Sequence, residues 1–211
     1  MHVITISATY GAGGAVVGPA VAERLGVPFV DRAIPVVVAN DLGIPVDDVL
    51  CRDEQVRGWM ARLLSATAPL SAEWIVDPEH LRTTMLSDGQ VLRCTEGAIR
   101  RAVDADGGVI LGRAAAIVLR DHPGAFHVRL DGDPDRRVRQ AVDVLGIPEH
   151  EARDARERND KARVAYVRHY YGADPARAEH YHLVLDSTVL PLETVVDLVV
   201  TAARAKGIGT R

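Results

Sequence analysis

The chain has 211 residues, of which 47% are apolar, and a formal net charge of −4 at pH 7. That length and apolar content suffice for one sizeable core, so we expect a single α/β domain with insertions rather than two domains. The small negative charge gives no general attraction to nucleic acid or to anionic lipid. No segment is long and apolar enough for a membrane span, and the 2 cysteines lack metal-binding spacing. We therefore expect a cytoplasmic protein without a side-chain metal site.

The chain opens with a β-branched run at 2–7, which breaks into a glycine-rich turn at 10–14 and continues as a predicted helix at 15–25. A buried strand, a glycine turn and a helix N-terminus are the parts of a phosphate-binding loop. In such a loop several backbone N–H groups face one anion. The opening of the chain therefore predicts a phosphate site.

This loop lacks the charge that usually accompanies it. In the pattern G-x-x-x-x-G-K-[ST], with one extra residue before the hydroxyl position, the first glycine, the lysine and the hydroxyl residue are replaced by Ala8, Gly14 and Val16. The backbone of the loop is then left to hold the phosphates. The residues predicted to do so are Gly11, Ala12, Gly13 and Gly14.

Strand-like and helix-like segments alternate along the rest of the chain, which is typical of a parallel sheet covered on both faces. The stretch between the second and third strands is too long for one crossover, so a helical insertion is predicted there, at about 33–94. Further strands are predicted at 27–30, 109–111, 126–130 and 182–185, and helices at 33–42, 95–106, 114–120, 134–145, 149–170 and 192–205.

The segment 149–163 predicts a helix that contains no large apolar residue and so has no apolar side to anchor it. Arg153, Arg156, Asp160 and Arg163 are spaced so that they share one face. One interpretation is a solvated helix with many ion pairs. The other is a lid that closes over polyphosphate with guanidinium donors, which the equally polar opposite face favours.

Several motifs, in order along nearly the whole chain, resemble the cytidylate kinase-like family, divergent relatives of bacterial CMP kinases in which the loop lysine is commonly absent. Only the helical insertion is poorly matched. The motifs are Ile4-Thr5-Ile6-Ser7 with the glycine turn, Leu25 to Asp31, Val109-Ile110-Leu111-Gly112-Arg113-Ala114, Arg156-x-x-x-Asp160-x-x-Arg163, and His182-Leu-Val-Leu-Asp186-Ser187-Thr188-x-Leu190.

The resemblance implies a P-loop nucleoside monophosphate (NMP) kinase fold. This is a five-stranded parallel sheet with helices on both faces, a helical NMP-binding insertion and a helical lid, in a single domain. The core would comprise 1–32, 95–148 and 179–211, the insertion about 33–94 and the lid about 149–178.

The resemblance also implies phosphoryl transfer from ATP to a (deoxy)cytidine-type nucleoside monophosphate. In that arrangement Arg156 and Arg163 clamp the transferring group, and Asp160 orients the acceptor or its arginines. Arg113 and Asp31 bind the acceptor, although the sequence alone favours Asp31 as the cap of the helix predicted after it.

Mg²⁺ would be held mainly through the nucleotide phosphates, because Val16 offers no hydroxyl. Apart from small-molecule nucleotides no partner is implied, and the protein would be a monomer or a homodimer.

Two departures from the family pattern favour an alternative function. Ala15 stands where the family often has an arginine, and Ala114 stands where CMP kinases carry an acceptor-binding aspartate. Together with the missing lysine, they are typical of a catalytically impaired protein that binds a nucleotide and regulates a partner.

A Rossmann-type dinucleotide-binding oxidoreductase is a further alternative. Gly11, Gly13 and Asp31 imitate the dinucleotide fingerprint, in which an acidic residue after the second strand holds a ribose. The imitation is incomplete because Val16 occupies the place of the third glycine.

Overall fold

The computed structural model describes residues 2–31, 107–112 and 114–209, together with residues 96, 99–100 and 103–104. The chain divides into two units, Met1–Ala33 with Ala98–Arg211, and Ile34–Gly97. The first unit contains the sheet. The insertion predicted at 33–94 lies outside the described residues, as do Arg113 and the side chain of Asp31.

Five parallel strands form one sheet in the order β2-β3-β1-β4-β5. Ile4 of β1 lies opposite Val109 of β3 on one side and Phe126 of β4 on the other. The predicted five-stranded parallel sheet is confirmed. The strands are β1 (Val3–Ala8), β2 (Phe29–Asp31), β3 (Gly108–Leu111), β4 (Ala125–Asp131) and β5 (Leu183–Asp186).

The helices whose bounds the structure describes begin and end close to the residues predicted for them, because capping chemistry marks their ends; the helix predicted at 33–42 lies outside the described residues, and that at 95–106 is described only in part. Asp133 accepts the N–H groups of Asp135 and Arg136 at 3.1 and 3.0 Å, which fixes the start of the third helix at Pro134. None of the described helices is long and apolar enough to cross a membrane. They are α1 (Gly14–Leu25), α2 (Ala115–Val118), α3 (Pro134–Leu145), α4 (Glu149–Tyr171) and α5 (Leu192–Ala205), with a 3₁₀ turn at Ala178–His180 and helical residues at 96, 99–100 and 103–104.

Apolar clusters cover both faces of the sheet, as the sequence predicts. On one face, α1 and α5 contribute fully buried side chains such as Val17 and Val195. On the other face, Ile99, Val103 and Leu119 pack against Ile110. Each fully buried aliphatic side chain of this kind stabilises the fold by roughly 1.5–3 kcal/mol.

The strand order decides between the two nucleotide-binding folds considered for this sequence. Strand β1 lies between β3 and β4, whereas the dinucleotide-binding order places strand 2 beside strand 1. Asp31, the last residue of β2, is therefore separated from β1 by a whole strand. The Rossmann-type alternative is wrong.

Helix α4 is anchored by small apolar residues despite its polar sequence. Ala152, Ala162 and Val167 are buried, and Ala152 belongs to an apolar cluster with Val138 and Ala141 of α3. The interpretation that nothing apolar anchors this helix is wrong. Alanine is short enough to let the two helices approach closely, so a buried seam forms without large side chains.

Candidate phosphate-binding site

The loop that joins β1 to α1 lies at the carboxyl edge of the sheet, between the ends of β3 and β4, where open α/β sheets bind their ligands. Gly11 and Gly13 have φ angles of 77° and 75°, which favour glycine. A Cβ at Gly11 would collide with the carbonyl group of Arg137, and a Cβ at Gly13 would lie 2.5 Å from Cδ2 of Leu192. Both positions therefore require glycine for its conformation and for its small size.

Three successive carbonyl groups of this loop are held by side chains from other elements. Arg137, Gln140 and Ser187 donate to the carbonyl oxygens of residues 10, 11 and 12, at 3.0, 3.0 and 2.8 Å. These donors come from α3 and from the segment after β5. The hydrogen-bonding capacity of the loop's acceptors is thus used within the protein.

Only some N–H groups of the same loop are open. Those of Tyr10 and Ala12 donate to Asp160 and to the carbonyl oxygen of Thr9, each at 3.1 Å. The N–H of Ala12 is therefore not available to a phosphate, contrary to the prediction from the sequence.

In the described part of the chain, no acceptor is found for the N–H groups of Gly11 and Gly13. Gly14 and Ala15, the first residues of α1, have no acceptor within a helix by its geometry. All four residues line a cavity of about 200 Å³. Open N–H groups around a cavity at a helix N-terminus are an arrangement that suits an anion.

Asp131, at the end of β4, supports the loop from the neighbouring strand. Its Oδ1 accepts the Thr9 hydroxyl at 2.9 Å, and its Oδ2 accepts Nη2 of Arg129 at 2.6 Å. Burial by itself would raise the pKa of this carboxyl, but the hydrogen bonds from Arg129 and Thr9 outweigh it and lower that pKa. Asp131 is therefore ionised and fully engaged beside the loop.

Asp160 joins α4 to the loop. Its Oδ1 accepts the N–H of Tyr10 at 3.1 Å, and its Oδ2 accepts Nη1 of Arg137 at 2.7 Å. Arg137 is only 5% exposed and also donates to the carbonyl group of Gly132. Such a buried ion pair persists because its remaining donors and acceptors are satisfied as well.

Arg163 lies one turn after Asp160 and lines the cavity. Burial lowers the pKa of its guanidinium; Asp160 opposes this shift, and Arg129 and Arg137 add to it. Arg129 and Arg137 pair with Asp131 and Asp160 at 2.6 and 2.7 Å. Arg163 has no such acidic partner among the residues that the structure describes, so one positive charge beside the loop is uncompensated.

Arg153 does not reach the cavity. It is an exposed residue whose Nη1 and Nη2 atoms bind Asp135 and Glu149, each at 2.8 Å. Its guanidinium thus belongs to an ion-pair network on the surface of α3 and α4. The expectation that it joins the other charged residues of its helix face is wrong.

Arg156 is also absent from the cavity lining. Its side chain is 18% exposed, its Nη2 lies 3.3 Å from Glu157, and its buried Nε has no partner within the described ranges. The predicted charged face of the helix is thus divided. Asp160 and Arg163 meet the loop, whereas Arg156 stays apart from it.

The described side chains do not fit a Mg²⁺ ion held by the protein. Val16 lines the cavity without an oxygen atom, and the carboxylates of Asp131 and Asp160 are engaged by arginines. Within the ranges described, no group of three His, Cys, Asp or Glu side chains could hold a metal ion. Hard divalent cations require such oxygen ligands.

Four side chains that hold the loop escaped the sequence analysis. Asp131 could have been found, because it directly follows the strand predicted at 126–130, at the same edge as the loop. Arg137 and Gln140 are three residues apart on a helix, which predicts a shared face but not what that face contacts. Ser187 carried no signal of its own as a loop anchor. Their roles depend on tertiary contacts that only the fold creates.

The sequence model of the cytidylate kinase-like family matches residues 3–189. The chain belongs to the cytidylate kinase-like family. Its ordered motifs, its strand order and its glycine loop agree with this membership. The family resemblance inferred from the sequence is confirmed.

Solved structures show the same fold for this cytidylate kinase-like chain. It is similar to an uncharacterised protein from Eubacterium ventriosum ATCC 27560, with a TM-score of 0.65, 18% identity and coverage of 97% of this chain and 99% of that one. It is also similar to a gluconokinase from Sinorhizobium meliloti 1021, with a TM-score of 0.52, 16% identity and coverage of 97% and 92%. At these identities the likeness establishes a kinase-type P-loop fold and nothing about the substrate.

A curated relative shares only part of the chain. The uronate isomerase of Corynebacterium glutamicum is 33% identical over 96 residues, which are 46% of this chain and 18% of that protein. The chain thus matches less than a fifth of the length of this relative. The shared part is too short for that protein's activity to bear on this one.

Proposed function

We propose that this protein transfers a phosphoryl group from ATP to a nucleoside monophosphate of the (deoxy)cytidine type. The observation that carries the proposal is the asymmetry of the loop. Three of its carbonyl groups are held by side chains from other elements. The N–H groups of Gly11, Gly13 and Gly14 have no acceptor among the described residues, and these three residues line the cavity. A polyphosphate offers the negative oxygens that such an arrangement binds.

The roles of the loop and of α4 follow from what phosphoryl transfer requires, which is positioning and positive charge rather than a covalent nucleophile. Arg163 supplies charge at the cavity, and Asp160 holds α4 against the loop. Arg156 would join them only after a movement of its side chain. The donor phosphates would bind the backbone N–H groups of Gly11, Gly13 and Gly14, because that of Ala12 donates to Thr9. Mg²⁺ would accompany ATP through its phosphates.

The acceptor would bind at the ends of β2 and β3. Asp31 lies opposite Leu111 in the strand register, and Arg113 follows Leu111 by two residues in the sequence. Asp31 thus ends its strand at the ligand-binding edge, and Arg113 comes in the sequence shortly after the end of the neighbouring strand. An arginine there suits the phosphate of a monophosphate, because a guanidinium binds it through two parallel hydrogen bonds.

The decisive experiment measures ADP and nucleoside diphosphate formation from ATP, Mg²⁺ and a panel of CMP, dCMP, UMP, AMP and GMP. We expect turnover to be highest with CMP or dCMP. ATP binding without transfer to any acceptor would contradict the proposal. That result would favour a nucleotide-binding regulatory protein, which the missing lysine and the apolar Val16 support.

Arg113→Ala tests the acceptor assignment. Loss of a charged hydrogen bond worth about 1.5–3 kcal/mol should raise the acceptor KM by roughly tenfold or more. ATP affinity should persist. Arg120→Ala is the control, because Arg120 is exposed and pairs only with its neighbour Asp121 in the part of the chain described. Equal weakening of both substrates in Arg113→Ala would contradict the assignment.

A further inference from the structure

The absence of the lysine and the absence of the first glycine of the loop have one steric explanation. A Cβ built on Gly14 would lie 2.5 Å from the Cβ of Ala8 and 3.2 Å from Cδ1 of Leu111. Real Cβ atoms do not approach each other so closely. A lysine at position 14 is therefore incompatible with an alanine at position 8 unless the strand end moves.

In the usual loop pattern position 14 carries a β-carbon and position 8 does not; here Ala8 carries one and Gly14 does not. In that pattern a glycine ends the strand and leaves room for the lysine that begins the helix. Here Ala8 ends the strand, is buried, and fills the space next to Gly14. Reintroducing the lysine alone would break the packing of the loop.

We propose that Arg163 has replaced the loop lysine as the cation that binds the donor polyphosphate, and that Ala8 with Gly14 fixes this replacement. The inference deepens the proposed function and rests on it. It assigns the charge of the phosphate site to α4 rather than to the loop.

The charges around the loop support this assignment. Two of the three arginines at the site are paired with carboxylates, Arg129 with Asp131 and Arg137 with Asp160. Arg163 has no carboxylate of its own in the described part of the structure, yet it lines the same cavity as Gly13 and Gly14. A desolvated guanidinium without an acidic partner is stabilised when an anion enters beside it.

The position of Arg163 is fixed by its own helix. Asp160, one turn earlier, accepts the loop N–H of Tyr10 and the guanidinium of Arg137. Side chains three residues apart on a helix lie on the same face. The bond that holds α4 to the loop therefore also directs Arg163 towards the cavity.

A charge-relocation experiment tests the proposal. Binding of inorganic tripolyphosphate and of ATP is measured by calorimetry for Arg163→Met and for the double variant Ala8→Gly/Gly14→Lys, alone and in the Arg163→Met background. We expect Arg163→Met to weaken tripolyphosphate binding at least tenfold. The double variant should restore it to within threefold of the original chain, because it returns a cation to the same cavity.

Two controls separate charge from folding. Arg153→Met removes an exposed arginine from the same helix and should leave binding within twofold. Gly14→Lys without Ala8→Gly should lower the melting temperature, and adding Ala8→Gly should recover it. Arg163→Gln is the second neutral variant should Arg163→Met not fold, with the same loss of binding expected.

Three outcomes would overturn the inference. These are tripolyphosphate binding within twofold in both neutral Arg163 variants, a folded double variant that fails to improve binding in the Arg163→Met background, and a Gly14→Lys variant as stable as the original chain. The proposed function fails separately. If tripolyphosphate binding depends on Arg163 but no acceptor is phosphorylated, the inference stands as an account of the anion site and the transferase proposal falls.

Discussion

One face of β4 carries three polar side chains, of which His127 is uncharged and Arg129 and Asp131 are charged and paired. In the middle of the sheet, His127 lies opposite Thr5 and bonds its hydroxyl at 2.8 Å. Burial lowers the pKa of His127 to about 4, with a further lowering by His182. At the carboxyl end of the same strand, Arg129 and Asp131 both stay charged and paired.

The difference shows where this fold retains buried charge. A buried histidine sheds its proton, which avoids most of the cost of desolvation. Arginines cannot do so, and each one kept near the loop needs a carboxylate or an anion. Arg129 and Arg137 have carboxylates, whereas Arg163 has none in the described structure. The imbalance lies at the glycine loop, where an anionic ligand would supply the missing negative charge.

The largest expected effect is the loss of ATP affinity when a side chain blocks the glycine loop. Gly13→Val combines a left-handed φ of 75° with a Cβ 2.5 Å from Leu192. Several charge-assisted N–H bonds of roughly 1.5–3 kcal/mol each would be lost together, so ATP affinity should fall about a hundredfold or more. Calorimetry measures the loss.

The matched control is Gly26→Val. Gly26 has a φ of 63°, and a Cβ added there would meet no atom within 4 Å. The substitution should cost some stability through backbone strain but leave ATP affinity unchanged. Equal affinities for the two variants would mean that the loop is not the phosphate site.

Asp160→Asn tests the ion pair between Asp160 and Arg137 beside the loop. It keeps an acceptor for the N–H of Tyr10 but leaves the guanidinium of buried Arg137 without its counter-charge. We expect a loss of about 3 kcal/mol in the free energy of unfolding, as for other broken buried pairs. Urea denaturation measures it, and hydrogen exchange in α4 should become faster because its tie to the loop is weakened.

Asp135→Asn is the comparison for that variant. Asp135 pairs with Arg153 at 2.8 Å, nearly the same distance as the 2.7 Å between Asp160 and Arg137. In the Asp135–Arg153 pair, however, both side chains are exposed. Exposed pairs contribute little, so its unfolding curve should match that of the original chain. Similar losses for both variants would show that burial does not set the value of these pairs.

The sequence predicted the strands and helices well because their signals are local. Pro134 after Asp133 marks a helix start, and the β-branched opening marks a strand before a glycine turn. Strand order is a long-range property that periodicity does not encode; the family resemblance implied five parallel strands, and their order is a finding of the structure. His127 and Arg129 alternate with apolar residues within the strand predicted at 126–130, and Asp131 follows it directly, but an apolar run gives no sign that these polar residues share a face.

The site was predicted only in part, for a related reason. Backbone binding by the glycine loop follows from turn chemistry, and Arg163 follows from helix spacing. The same spacing also selected Arg153 and Arg156, which the fold directs elsewhere. Arg137 gave no signal, because its role depends on α3 lying against the loop.

The pH dependence of the free energy of unfolding tests whether buried His127 is uncharged in the folded protein. The pKa of His127 in the folded chain, about 4, lies below its ordinary value of 6.5. The unfolded chain therefore takes up a proton first as pH falls. The stability is fully present above pH 6.5 and is lost as pH falls towards 4. The loss is at most about 3 kcal/mol, and about half of that once solvent screening is allowed for.

His127→Gln should flatten this part of the pH profile, because glutamine does not titrate. The readout is the free energy of unfolding by urea at several pH values between these limits. His150→Gln, at an exposed position on α4, should leave the slope unchanged. If the slope persists in His127→Gln, the loss of stability at low pH comes instead from the carboxylates at the carboxyl end of the sheet.

The smallest expected effect concerns the strained residue beside the ligand-binding edge. Ala114 has a φ of 55°, the only non-glycine residue in the left-handed region among those described. Ala114→Gly would relieve a cost of about 1–2 kcal/mol but add roughly 0.5–1 kcal/mol of backbone entropy in the unfolded chain. The net gain should be about 0.5–1 kcal/mol, which raises the melting temperature by roughly 1–4 °C for a chain of this size. Ala116→Gly, two residues on and buried in α2, should instead lower it, because its helical conformation favours alanine. If Ala114→Gly also lowers the melting temperature, the left-handed turn carries no strain. The backbone at the charged edge of the sheet would then be no more strained than the backbone in its neutral middle.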